Sequence, residues 1–398
     1  MRFLHLIGSV DPQGGGPVEG ARQLHHALGA LGHGGSFVTL DAADAPAVKA
    51  FDAPIHALGP ARGSYGYGAQ LAPWLRRHRR DFDAVLVNGL WQYPGLAARR
   101  ALAGTDTPYF VFPHGMLDPW FKHRYPRKHL KKWLYWPWAE YRVLRDAAGV
   151  LFTCDEERRL ARQSFWLYKA REFISSYGTA PPPATDPGVS RAGFLDAFPG
   201  LRDRRLILFL GRIHEKKGCD LLIEAFATAC SEMPDVHLVL AGPDAGPWPE
   251  AMRETISRLG LQDRVTWTGM LVDDMKWGAF HASEVFCLPS HQENFGIAVV
   301  EALACGCPVL ISNKVNIWRE IQSDGAGLVE SDTLAGAQSL LERWFRMPAK
   351  DAARMRAAAS RSFDRRFRME QVARNLLEIV RQPSAGPLAS LEERRAQP

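Results

Sequence analysis

Two glutamates, Glu293 and Glu301, raise the first chemical question in this 398-residue chain. Glu301 is the one polar position in the run from Ile297 to Cys305. A carboxylate in an apolar setting costs several kcal/mol unless a partner or a ligand compensates it. A strand ending at Leu288 and Pro289 places residues 290–294 in the loop after it, and Gly296 with the apolar run predicts a short helix ended by Gly306. Glu293 then precedes the helix, Glu301 lies on its second turn, and the free N–H groups of Asn294, Phe295 and Gly296 point into the same pocket. Charged hydrogen bonds of about 1.5–3 kcal/mol each suit a ligand rich in hydroxyls. The alternative is structural: Glu293 as a helix-start residue and Glu301 paired with a buried arginine.

Cations come from a second place. In GRIHEKKG (211–218) a strand runs into Gly211 and Arg212, and Lys217 with Gly218 opens a helix. Arg212 and Lys217 beside helix N–H groups suit a phosphate or diphosphate, or else form solvated surface charge. The pattern is not a P-loop. Gly14, Gly15 and Gly16 precede another helix in the first half and let backbone approach a charged ligand, unless they only make a tight turn. His114, in PHGMLDPW, ends a strand, where imidazole can bond a hydroxyl or move a proton, although a lone histidine is commonly structural. Asp81 and Asp83 have metal-binding spacing but precede their strand, at the wrong end of the sheet, and no metal site is expected. Residues 119–139 hold six Lys or Arg, no acid, and six Trp or Tyr plus Phe121. Lys122, Arg124, Arg127, Lys128, Lys131 and Lys132 with Trp133 and Trp136 suit an anionic membrane or a phosphate-bearing lipid. Nucleic acid, or a basic helix with its tryptophans turned inward, fits the same composition.

The positioning elements follow from apolar runs alternating with helical periodicity, the mark of parallel sheets built from βαβ units. Strands are predicted at Phe3–Val10, Phe37–Leu40, Ala84–Asn88, Tyr109–Phe112 and Val150–Thr153. After Arg205 the pattern restarts, with strands at Val236–Ala241, Val265–Thr268, Val285–Leu288 and Pro308–Ile311. Four prolines among the first nine residues of 179–205 mark a linker. The reading is α/β: two Rossmann-like doubly wound domains, 1–178 and 205–348, facing across a cleft where such sheets bind ligands, with a linker at 179–204, a helical segment at 349–380 and a disordered tail at 381–398. A net charge of +6 is too weak to imply nucleic acid. The six cysteines mostly lie in apolar stretches, which predicts reduced thiols and a cytoplasmic chain. The first strand is too short for a signal peptide, and no apolar run spans a bilayer, so any membrane contact is peripheral.

Taken in order, GGG, PHGMLDPW, TCDEERRLA (153–161), GRIHEKKG, LVLAGPD (238–244), VTWTGML (265–271) and the Glu293/Glu301 stretch with EALACGCPV resemble family 4 of the retaining glycosyltransferases, of GT-B architecture. The resemblance covers nearly the whole chain. It implies a metal-independent hexosyltransferase that needs no cofactor and takes a UDP- or GDP-linked sugar. Arg212 and Lys217 would hold the diphosphate with the backbone of Gly15 and Gly16. Glu301 would bond the ribose, and Glu293 with the amides of Asn294, Phe295 and Gly296 would hold the sugar. His114 would contact the sugar or the acceptor. The expected acceptor is a glycan or a polyprenyl-diphosphate-linked glycan in exopolysaccharide, capsule or O-antigen type biosynthesis, at the inner face of the membrane, without nucleic acid. The competing readings are a sugar-nucleotide epimerase of the same fold and a non-catalytic membrane- or nucleic-acid-binding protein using residues 119–139. One departure from the family pattern is Tyr177-Gly178-Thr179, where many relatives carry Asn-Gly.

Overall fold

Thirteen parallel strands form two sheets in the computed structural model, which describes residues 1–12 and 16–382. Gly14, Gly15 and the tail beyond 382 lie outside the described residues. In the first unit, β1 (Arg2–Ile7), β2 (Gly34–Thr39), β3 (Ile55–Ala57), β4 (Ala84–Asn88), β5 (Tyr109–Phe112), β6 (Gly149–Phe152) and β7 (Glu172–Ile174) run in the order β3-β2-β1-β4-β5-β6-β7. In the second, β8 (Arg205–Leu210), β9 (Val236–Ala241), β10 (Val265–Gly269), β11 (Val285–Leu288), β12 (Val309–Ser312) and β13 (Gly327–Glu330) run in the order β10-β9-β8-β11-β12-β13. Helices cover both faces, so the inner strands read as unbroken apolar runs; Leu206, Ile207, Leu208 and Phe209 are all buried. Each order reverses at the strand that comes first in its sequence, between β1 and β4 and between β8 and β11, where a doubly wound sheet binds its ligand.

The helices follow from local chemistry. Pro17 sits in the first turn of helix Gly16–Ala30, and Gly32 takes positive φ just past its end. Residues 179–204, expected as a linker, are largely built into the second unit. Asp186 accepts from Gly188 N at 2.7 Å and Val189 N at 3.3 Å, Pro187 follows, and the helix Pro187–Ala197 buries Phe194. A Cβ on Gly278 would run into Ser190 O and Phe194, so this helix crosses helix Asp273–Ala282 at close range.

The expected helical segment 349–380 is split between the units. Helix Ala349–Ser362 and the π-turn Phe363–Phe367 belong to the second unit. The last helix, Met369–Arg381, belongs to the first, where Met369, Val372, Leu376 and Leu377 share a core with Leu24, Leu28 and Phe110. The chain therefore passes between units twice, after Tyr177 and after Arg368. Thr179 N donates to Phe367 O at 3.0 Å, tying the two passages together.

Candidate active site

In the second unit, the loops after β8 and β11 meet. After Gly211 and the exposed Arg212, Ile213 turns into the core. His214 Nδ1 accepts from Lys216 N at 3.2 Å and caps the turn Glu215–Lys217. Gly218 at φ 66° then starts helix Cys219–Ala229. A Cβ on Gly218 would collide with Pro289 O, so a side chain here would push the loops apart. Lys216 O accepts from His291 N at 2.8 Å, and the Lys217 ammonium is paired with the Glu293 carboxylate.

Glu293 is held from its other side. Its N–H donates to Lys314 O and its carbonyl accepts from Asn316 N, both at 3.0 Å, while Asn316 Nδ2 donates to Asn294 Oδ1 at 3.3 Å. Gly296, at φ 79°, leads into helix Ile297–Ala304, and Phe295 is buried edge-on to Phe367 at 5.9 Å. Glu301, 6% exposed, accepts from Lys276 Nζ at 2.7 Å. The partner is a lysine from helix Asp273–Ala282, its ammonium 4.4 Å over Trp277, and not the arginine that a structural reading expects. No motif marks Lys276; its only sequence signal is that a buried Glu301 demands a cation. The structure thus joins Lys217 to Glu293 and Glu301 to Lys276. It places Arg212 at the end of β8, where its charge helps lower the pKa of His214, behind the larger effect of desolvation.

In the first unit, His114 follows β5 at φ 48°. Its Nε2 lies 3.1 Å from Asn88 Oδ1, and the ring stacks on Phe112 at 5.5 Å. Burial lowers its pKa to about 4, so near neutrality it is an uncharged imidazole. Tyr177, where the chain departs from the family pattern, meets this ring edge-on at 5.8 Å and donates to Gly16 O at 2.8 Å. Its phenol occupies the space a Cβ on Gly20 would need. Asp83 accepts from Arg2 N at 2.6 Å and Asp81 from the His78 ring at 2.9 Å, so both serve local structure.

The basic aromatic segment forms helices Trp120–Arg124 and Pro126–Tyr135. Two of the eight expected surface residues are corrected. Trp136 is fully buried, stacked on Phe165 at 4.5 Å with its indole N–H donating to Trp166 O, because a large ring gains more from the core than from water. Lys132 is half-buried, its ammonium 4.6 Å over Trp91 and 5.7 Å over Phe121. Lys122, Arg124, Arg127, Lys128, Lys131 and Trp133 are exposed as expected. All six cysteines are free thiols, and burial pushes those of Cys219, Cys230 and Cys307 up to about 12. Among the described residues no helix is long and apolar enough to cross a membrane.

A family profile described as "Glycosyl transferases group 1" matches residues 196–362, and one described as "Glycosyl transferase 4-like domain" matches 15–175. By these two profiles, which together match most of its length, the chain belongs to the group 1 and 4-like glycosyltransferase family, with a GT-B fold. Among curated relatives of this glycosyltransferase, the alpha-D-kanosaminyltransferase of Streptomyces kanamyceticus is 32% identical over 47% of this chain and 48% of its own. The D-inositol 3-phosphate glycosyltransferase of Segniliparus rotundus is 31% identical over 50% and 46%. The chain thus spans about half the length of the curated relatives it matches. HepE of Anabaena, solved with UDP and glucose, superposes with a TM-score of 0.73 over 96% of this chain and 100% of its own at 18% identity, a likeness of fold.

Proposed function

We propose that this glycosyltransferase is a hexosyltransferase that moves a sugar from a UDP- or GDP-linked donor, with retention of anomeric configuration and without a metal, to a glycan or polyprenyl-diphosphate-linked acceptor in polysaccharide biosynthesis. The observation that supports it most is the meeting of Lys217 and Glu293 from the loops after β8 and β11, on either side of the point where strand order reverses. In this reading a donor diphosphate takes over Lys217 and, with Arg212, has its developing charge stabilised as the nucleoside diphosphate departs. Glu293, released from Lys217, turns to the sugar hydroxyls together with the amides of residues 294–296. Glu301, oriented by Lys276, bonds the ribose. Attack on the same face accounts for retention without a protein nucleophile. Neutral His114 serves the sugar or acceptor as a hydrogen-bonding group, not as a charged acid.

Membrane contact finds support in helix Pro126–Tyr135, which exposes large apolar side chains among its cations. It turns Lys132 inward while Leu130 is 62% and Leu134 64% exposed, beside the exposed cations Arg127 and Lys131. The decisive test is a thermal-shift screen of UDP- and GDP-sugars with EDTA present, followed by product analysis. A rise in melting temperature, at least tenfold weaker donor binding in Lys217→Met, and transfer to an acceptor are expected. A changed sugar nucleotide without transfer would make the protein an epimerase, and indifference to every nucleotide would sink the proposal.

A further inference from the structure

Beneath helix Pro126–Tyr135, in the first unit, lies a cavity of about 60 Å³ lined by Lys128, His129, Lys132, Asp118, Phe121 and Phe165, among others. That is several times the roughly 10–15 Å³ a single water needs on the same measure. Its charge is unusual. Lys128 and Lys132 are one helical turn apart and both enter the lining. Among the described residues neither ammonium has a hydrogen-bond acceptor; each rests on aromatic faces, Lys128 over Tyr125 at 5.1 Å and Lys132 over Trp91 and Phe121. Cation–π contact alone leaves the N–H donors of the half-buried Lys132 ammonium unsatisfied, and those of the exposed Lys128 open to a ligand.

The carboxylates nearby do not discharge the pair. Asp118 Oδ1 accepts from Trp120 N at 2.8 Å at the start of the preceding helix. Glu140 is buried, accepts from Trp91 N at 2.8 Å through Oε1, and among the described residues leaves Oε2 without a partner. Desolvation raises its pKa to about 8, so near neutrality it is mostly protonated and offers Lys132 little countercharge. Burial and then the charge of Lys128 lower the pKa of Lys132 itself, an effect that a bound phosphate would offset. The His129 ring, stacked on Phe165 at 4.7 Å, is a third nitrogen group on the wall.

The geometry points to a phosphate seat here, in which Lys128 and Lys132 hold a phosphate group of the acceptor while the exposed Leu130 and Leu134 of the same helix meet its hydrocarbon. Two ammonium groups in an aromatic frame fit a phosphate better than a neutral hydroxyl, because charge-assisted bonds satisfy donors that the protein leaves open. The seat rests on the acceptor reading above and deepens it.

Calorimetry with geranyl diphosphate, run with saturating UDP so that any nucleotide site is filled, tests it. Lys128→Gln and Lys132→Met, with Lys132→Arg to keep the charge, are each compared with the unaltered chain. The two charge-removing variants are expected to bind geranyl diphosphate about tenfold or more weakly, with Lys132→Arg close to the parent and UDP affinity unchanged in all. Capture on phosphatidylglycerol vesicles that Lys128→Gln abolishes, without binding of the soluble diphosphate, would assign the phosphate to a lipid headgroup and still support the seat. Equal binding in parent and variants in both arms overturns it. If UDP fails to bind while geranyl diphosphate binds through these lysines, the donor proposal falls and the seat remains.

Discussion

Glu301 and Lys276 show what one unexplained residue can reveal. A glutamate in an apolar run announced that a cation was near, and the run itself could not say from where. Lys276 arrives from a helix 25 positions earlier. Removing the lysine is worse than removing the charge on the acid: Lys276→Met takes the ammonium from a nearly buried carboxylate, at a cost of about 1–3 kcal/mol, whereas Glu301→Gln keeps an acceptor and loses less. Thermal denaturation of the two variants should rank them in that order, and the reverse order would mean that the pair is not a structural unit. Glu293 and Lys217 were legible as separate groups through ENFG and GRIHEKKG. Their direct pairing was not, since it depends on loops that only the sheet brings together.

Elements were readable in proportion to how deeply they are buried. β4, β5, β9 and β11 have the limits their apolar runs predict. β3, β7 and β13, absent from the sequence reading, are edge strands of three or four residues, such as Glu-Phe-Ile, with too little apolar sequence to stand out. Helix Pro126–Tyr135 was half-legible: composition marked it as basic and aromatic, but that Lys132 is the lysine turned inward is decided by Trp91 from a distant segment. Tyr177 is a similar case, a departure from the family pattern whose ring fills the place left open by Gly20. Gly20→Ala should therefore lower stability by about 1–3 kcal/mol through overpacking and displace Tyr177 from His114 and Gly16. Unchanged melting, with unchanged tyrosine fluorescence, would show that the contact carries no constraint.

At the scale of the whole molecule, buried histidines set the response to acid. Burial lowers His5 to about 3 and His114 and His237 to about 4. The unfolded chain takes up these protons near pH 6.5, well before the folded one does. Stability should therefore fall as pH drops below about 6.5, by up to about 1.4 kcal/mol per pH unit for each histidine until its folded value is reached. Glu140 has the opposite sign: its raised pKa favours the fold below the unfolded value near 4.5, and that contribution is lost as pH rises towards 8. Melting curves at pH 5, 6.5 and 8 should place the optimum between the extremes; a temperature that rises steadily towards pH 5 would contradict the burial of these rings.

The last helix gives synthesis an order. Because Met369–Arg381 completes the interior begun by Phe3 and residues 24–28, the amino-terminal half cannot finish its core until residues 369–381 have been made, while the later half already has all its parts. The half made first is the one that must wait, holding an open apolar seam that a stop codon at residue 369 would leave permanently uncovered.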